Sequence, residues 1–155
     1  MLLYQDIYRV ALFGHRDFCA HRRLDDTLYP YLKELLRTKP FVEIYMGRDG
    51  EFDRYAASVV KRVQDAMGKE NSELNLVLPY MKKDIEDFEK YYDRVIIPII
   101  AHPKIAITKR NEWMVENADL VLCYIERKTG GAYTAMKYAE RLDKMIVNLA
   151  DTSNQ

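Results

Sequence analysis

Apolar positions along the chain form short β-rich runs, alternating with longer stretches in which they recur every three or four residues. This is the pattern of strands and amphipathic helices in an α/β protein with a mainly parallel sheet. Ile7–Phe13 reads as the first strand and ends at Gly14. Leu24, Leu28, Tyr31, Leu32 and Leu35 then follow a helical period, interrupted by Pro30. That proline predicts either a kink or a helix beginning near Thr27, with Pro30 in its first turn. Val42–Met46 is a second strand, and Phe52, Ala56, Val59, Val63 and Ala66 form the apolar face of a second helix. Leu74–Leu78 is a third strand, Met81–Tyr92 a polar amphipathic helix and Arg94–Ile97 a fourth strand, followed by a loop carrying Pro98 and Pro103. Ile107–Asn117 (helix), Leu120–Tyr124 (strand), Ala132–Leu142 (helix) and Met145–Leu149 (strand) complete the series.

The alternation predicts a doubly wound α/β domain over residues 1–150, with about six strands, helices on both faces and a loose polar tail at 151–155. At 155 residues the chain has room for one such domain, and 48% hydrophobic with 31% charged residues is an ordinary globular mix. Lys plus Arg and Asp plus Glu both number 24. That balance argues against binding nucleic acid mainly by phosphate neutralisation and against a polybasic membrane binder. The longest apolar run, Val95–Ala101, is too short to span a bilayer and is broken by Pro98. The first residues show no signal-peptide pattern. Cys19 and Cys123 form no CxxC pair, and His15, His21 and His102 lack zinc spacing, so no metal is expected and a reducing, cytoplasmic location is. Tyrosine supplies 12 of the aromatic residues, a bias that suits ligand walls or a subunit interface.

Ligands of doubly wound sheets bind beyond the carboxyl ends of the strands. Polar and glycine-rich segments collect there: Gly14-His15-Arg16-Asp17, Gly47 to Asp53, Pro79-Tyr80, Arg110-Asn111 and Thr129-Gly130-Gly131. A Gly130-Gly131 turn lets a ligand approach the backbone, and the helix after it offers free N–H groups to a phosphate or carboxylate. Thr134 adds a hydroxyl. The plain alternative is a turn that uses glycine for geometry alone. Neither GxGxxG nor GxxxxGK[ST] occurs in that turn, which removes the main support for ordinary dinucleotide binding or ATP hydrolysis. His15 and Arg16 suit an anion, although the histidine equally suits a backbone hydrogen bond. Arg110 suits a bidentate anion contact or a surface ion pair with Glu112 or Glu116. Asp49, Glu51 and Asp53 are candidate acids or simple helix-start carboxylates. Cys19 lies near His15 and His21, but no spacing rule fixes a thiolate–imidazole pair.

Taken together, Gly14-His15-Arg16, the run from Gly47 to Ala57, Leu78-Pro79-Tyr80, the run from Arg110 to Asp119, and Gly130-Gly131-Ala132-Tyr133-Thr134 with Tyr138-Ala139 resemble the bacterial YpsA-like proteins. These belong to the SLOG superfamily, which also holds the DprA and Lonely Guy proteins. The resemblance runs from about Ile7 to Leu149. It implies a Rossmann-like fold that binds a nucleotide or nucleotide-derived phosphorylated small molecule, and it implies a homodimer. Carried over by residue, Gly14, His15 and Arg16 form the first ligand loop, and Asp49, Gly50 and Asp53 the second. Arg110 and then Gly130, Gly131 and Thr134 complete the site. Beside these, Asn111 adjoins Arg110, and Tyr80 or Tyr133 is a candidate to stack on a base or ribose, with core or interface packing as the plain alternative.

The departures bear on activity. Lonely Guy phosphoribohydrolases carry PGGxGTxxE, and here Lys137 stands where their glutamate assists glycosidic cleavage. A lysine repels a developing oxocarbenium cation. In the register where deoxyribosyltransferase-like proteins place a nucleophilic glutamate, this chain has Ala135. The leading expectation is therefore a sensory or regulatory nucleotide-binding domain that requires no cofactor. An N-glycosidic hydrolase using Asp49, Glu51 or Asp53 is the alternative. A third reading is an interaction module presenting Tyr29, Tyr31, Tyr91 and Tyr92, and electrostatic DNA binding comes last.

Overall fold

The structure, a computed structural model, describes residues 6–98 and 101–151. The expected loose tail past Asp151 and the N-terminal leader reading lie outside the described residues. Eleven elements alternate among the described residues: β1 (Ile7–Gly14), α1 (His21–Thr38), β2 (Phe41–Met46), α2 (Glu51–Met67), β3 (Ser72–Val77), α3 (Ile85–Tyr91), β4 (Arg94–Ile96), α4 (Pro103–Glu116), β5 (Leu120–Tyr124), α5 (Gly131–Arg141) and β6 (Met145–Asn148). The six strands form one sheet in the order β4-β3-β2-β1-β5-β6. Every pairing is parallel, with Val10 opposite both Ile44 and Leu120. The sheet is thus wholly rather than mainly parallel.

Strand alternation divides the core in two. Val10, Leu12, Val42, Ile44, Leu74 and Leu76 face one side, where Leu24, Leu28, Leu32 and Leu36 of α1 and Phe52, Ala56, Val59 and Val63 of α2 cover them. Ala11, Phe13, Tyr45, Val121 and Cys123 face the other side, under Met114 and Val115 of α4 and Ala135 and Ala139 of α5. This is a Rossmann-like, doubly wound α/β architecture.

Several boundaries differ from the sequence reading for local reasons. Helix α1 starts at His21, so Pro30 is interior to it rather than in its first turn. Its N-cap is Ala20, which supplies no side-chain cap, so the usual start signal is missing. The polar segment from Met81 gives only the short α3, since Met81 is exposed and the first buried residue of that segment is Phe88. Pro103 is not in the loop but opens α4 at its first turn, where its missing N–H costs nothing, and His102 caps that turn by accepting from the Lys104 N–H at 3.2 Å. Ala66 is exposed, and the buried face of α2 instead takes in Val60 and Gln64.

One contact sets the position of the loops above the sheet. A Cβ on Gly14, at the end of β1, would lie 2.1 Å from the Phe52 ring. Only glycine lets the first turn of α2 pack this tightly on the strand end.

Candidate functional site

From β1 the chain winds outward through β2, β3 and β4, then returns to the other side of β1 for β5 and β6. The winding therefore reverses between β1 and β5, and a crevice opens there at the carboxyl ends of the strands. A cavity of about 460 Å³ occupies it, within the roughly 300–1,000 Å³ usual for small-molecule sites. Gly14, His15, Arg16, Asp49, Gly50, Asp53, Arg110, Asn111, Gly130 and Gly131 all line it. Segments far apart in sequence meet at this one rim.

The roles of these residues are less uniform than their types imply. Arg110 is neither a free anion ligand nor a surface partner of Glu112 or Glu116. It is 2% exposed, and its guanidinium is spent inside the protein. Nη1 donates to the Val77 carbonyl at 2.8 Å, Nε donates to the Asn111 Oδ1 at 2.8 Å, and Nη2 pairs with the Asp49 carboxylate. A Cβ on Gly47 would meet Nη1 at 2.8 Å, so glycine makes room for the arginine. Arg110 thus staples α4 to the β2 loop and the end of β3. Glu112 pairs instead with Lys109, and Glu116 accepts from Tyr138.

His15 takes the backbone role. It is buried, and its Nε2 accepts from the Glu126 N–H at 3.1 Å, which places its ring proton on Nδ1. Burial first, and then the positive Arg127, hold its pKa below the ordinary 6.5. The bond ties the β1 loop to the β5 loop across the switch point. A second tie crosses the same gap at the surface, where Arg127 pairs with Asp17. That hydrogen bond is the main cause holding the Asp17 carboxyl below its usual range. Arg127 and Ile107 both line the cavity, and the sequence reading missed them. The available signal for Arg127 was its place three residues before the Gly130 turn. Arg16 is exposed and lines the cavity, and among the described residues no carboxylate lies within ion-pairing distance of it.

Asp53 lies in the first turn of α2, and its Oδ2 accepts from the Asp49 N–H at 3.0 Å. Burial raises its pKa from 3.8 to about 6, aided by the neighbouring Asp49 charge and opposed by the Asp49 N–H, Arg110 and Arg16. The cavity is thus lined by three carboxylates in different environments: Asp17 and Asp49, each paired with an arginine, and Asp53, tuned towards neutrality. Glu51 lies apart from the cavity lining, with its Oε1 3.0 Å from the His21 Nε2, and that contact is the main cause raising the His21 pKa. Cys123 is buried, which pushes its thiol up to about 12, whereas Cys19 is exposed.

The Gly130–Gly131 turn is open. Gly130 has φ +94° and an added Cβ would meet nothing within 4 Å, so its backbone conformation demands glycine and packing does not. It is the N-cap of α5 and provides no side-chain cap, which leaves first-turn N–H groups without a side-chain acceptor. Thr134 lies outside this cavity, and its hydroxyl donates to the Gly130 carbonyl at 3.0 Å. Tyr80 is 46% exposed and lines no part of the cavity, while Tyr133 packs half-buried against the α4/α5 core. Lys137 is exposed and pairs with Glu140. No helix among the described residues is long and apolar enough to cross a membrane.

No family model and no curated protein matches the chain. Among solved structures, DNA processing protein A (DprA) from Streptococcus pneumoniae matches with a TM-score of 0.66 at 12% identity, over 90% of this chain and 49% of that one. The structural-genomics target TM1055 matches with a TM-score of 0.56 at 15% identity, over 90% of this chain and 72% of that one. The chain therefore spans about half the length of the DprA structure. At such identities the likeness is one of fold, and this chain shares a Rossmann-like α/β fold with both proteins.

Proposed function

We propose that the crevice binds a nucleotide or nucleotide-derived phosphorylated small molecule, and that the chain is a YpsA-like member of the SLOG superfamily with a sensory or regulatory role. One observation carries this reading. The lining of the switch-point cavity combines anion-favouring groups with hydroxyl-favouring ones. The first are the open Gly130–Gly131 turn, the uncapped start of α5, Arg16 and Arg127. The second are Asp49 and Asp53. A phosphate suits the first and sugar hydroxyls suit the second. The five motifs in their order support the family assignment, and the exposed Lys137, paired with Glu140, supports binding over turnover.

A second reading, N-glycosidic hydrolysis of a nucleoside monophosphate, is favoured by one feature: Asp53 holds its proton up to about pH 6 in the cavity wall, as a general acid does. Released base or ribose phosphate that disappears in Asp53→Asn would establish it. A DNA ligand, which the name of DNA processing protein A brings to mind, is disfavoured by a formal net charge of zero.

The test is a thermal-shift screen with nucleoside mono-, di- and triphosphates, cyclic nucleotides, ADP-ribose and NAD. A ligand at 100 times its Kd adds about 2.7 kcal/mol, or roughly 5–10 °C for a domain of this size. Arg16→Glu is the control, because Arg16 is exposed and makes no ion pair among the described residues. A shift lost in Arg16→Glu supports the reading, and no shift with any ligand overturns it.

A further inference from the structure

A second, smaller cavity of about 110 Å³ lies between α4 and α5. On α5 it runs from Gly131 past Ala135 and Tyr138 to Arg141, positions spaced by three or four residues that share one helix face. Those ten steps cover about 15 Å. On α4 it is walled by Ile107, Thr108, Asn111 and Glu112, the last a carboxylate that can accept from a hydroxyl. The cleft adjoins the crevice, since Ile107, Asn111 and Gly131 line both. Gly131 stands where the two meet, and a Cβ there would meet only the Asn111 Nδ2, at 3.9 Å, so the helix start leaves its backbone open to a ligand. The far end carries a cation, with the Arg141 guanidinium 5.3 Å from the centre of the Tyr138 ring.

The geometry points to a two-armed ligand: a nucleotide whose phosphate carries a second sugar or small ring, with one arm in the switch-point crevice and the other in the α4–α5 cleft. The inference rests on the nucleotide reading of the crevice and deepens it. A phosphate at the Gly130–Gly131 turn sits at the waist between two cavities, and a monophosphate ester fills only one of them. The cleft is too small for a second base with its ribose enclosed, but its length and open side suit a sugar or a single ring lying along α5. Ile107, Ala135 and the Tyr138 ring offer apolar contact to such a group, and Arg141 offers donors to its hydroxyls.

The test compares AMP with ADP-ribose, and UMP with UDP-glucose, by isothermal titration on the wild type and two variants. Thr108→Phe fills the cleft from an exposed helix position, and Thr108→Ala widens it. Melting of both variants without ligand verifies that they fold. The expected result is at least tenfold tighter binding of a two-armed compound than of its monophosphate. Thr108→Phe should erase that advantage and leave the monophosphate unchanged, while Thr108→Ala should retain it. Binding of monophosphates alone, or equal effects of Thr108→Phe on both classes, would overturn the two-armed ligand and leave the crevice reading standing. Failure of every probe would overturn both.

Discussion

The Asp53 carboxyl is a stability cost located in a cavity wall, and replacing it by asparagine measures that cost. Asparagine keeps an oxygen to accept from the Asp49 N–H and removes only the charge. Below pH 3.8 the acid is neutral whether folded or unfolded, so it contributes nothing there. Between 3.8 and about 6 the unfolded chain gives up its proton while the folded chain keeps it, so stability falls as pH rises. Above about 6 the loss is complete. At about 1.36 kcal/mol per pH unit the interval amounts to about 3 kcal/mol. Asp53→Asn is therefore expected to be more stable than wild type by about 1–3 kcal/mol at pH 8, or roughly 2–12 °C in melting temperature, with the gap closing towards pH 4. Urea denaturation at pH 4, 6 and 8 provides the measurement. Equal stability at pH 8, or a gap that does not narrow with acid, would refute the burial argument. The direction is opposite to that of a salt-bridged carboxylate, which gains stability as pH rises.

Three other outcomes follow from the same contacts. Gly131→Pro removes one N–H from the start of α5 at a helix position that tolerates proline. A lost charge-assisted hydrogen bond of about 1.5–3 kcal/mol weakens a phosphorylated ligand by roughly 10–150-fold with melting nearly unchanged; unchanged affinity would remove the phosphate from that turn. Arg110→Ala strips the partner from Asp49 and a donor from the Val77 carbonyl; a loss of about 3–5 kcal/mol is expected in urea, and a fully stable variant would contradict the staple. His15 titrates below 6.5, so its contribution is complete above that pH and declines as acid protonates the acceptor of the Glu126 N–H. An NMR titration that placed its midpoint at or above 6.5 would be inconsistent with this.

Much of the fold was legible because its strands are short apolar runs and its helices carry clear stripes. What escaped did so where the local signal is inverted. Helix α4 buries Ala106, Arg110 and Met114 at successive four-residue steps, so a charged residue occupies a core position. A pattern reading begins that helix late and takes Arg110 for an anion ligand or a surface ion pair. Helix α1 begins on Ala20 and His21 with no side-chain cap, and its proline sits on an exposed position, so neither end of the pattern marks the true start.

The site was legible by residue type and not by role, and the reason is long-range pairing. His15 is satisfied by a backbone group 111 positions away, and Arg110 by a carboxylate 61 positions away. Such partners turn two expected anion ligands into structural ties. They also redistribute the charge of the crevice. With Arg110 neutralised by Asp49 and Arg127 held by Asp17, Arg16 is the cavity-lining arginine that lacks an ion-pair partner among the described residues. A bound anion there either shares Arg16 with the α5 amides or draws Arg127 away from Asp17. The second course releases one of the two ties between the β1 and β5 loops, while the buried His15–Glu126 bond keeps the other. On the proposed nucleotide reading, a ligand that recruits Arg127 loosens the surface tie while the buried His15–Glu126 bond keeps the switch point closed.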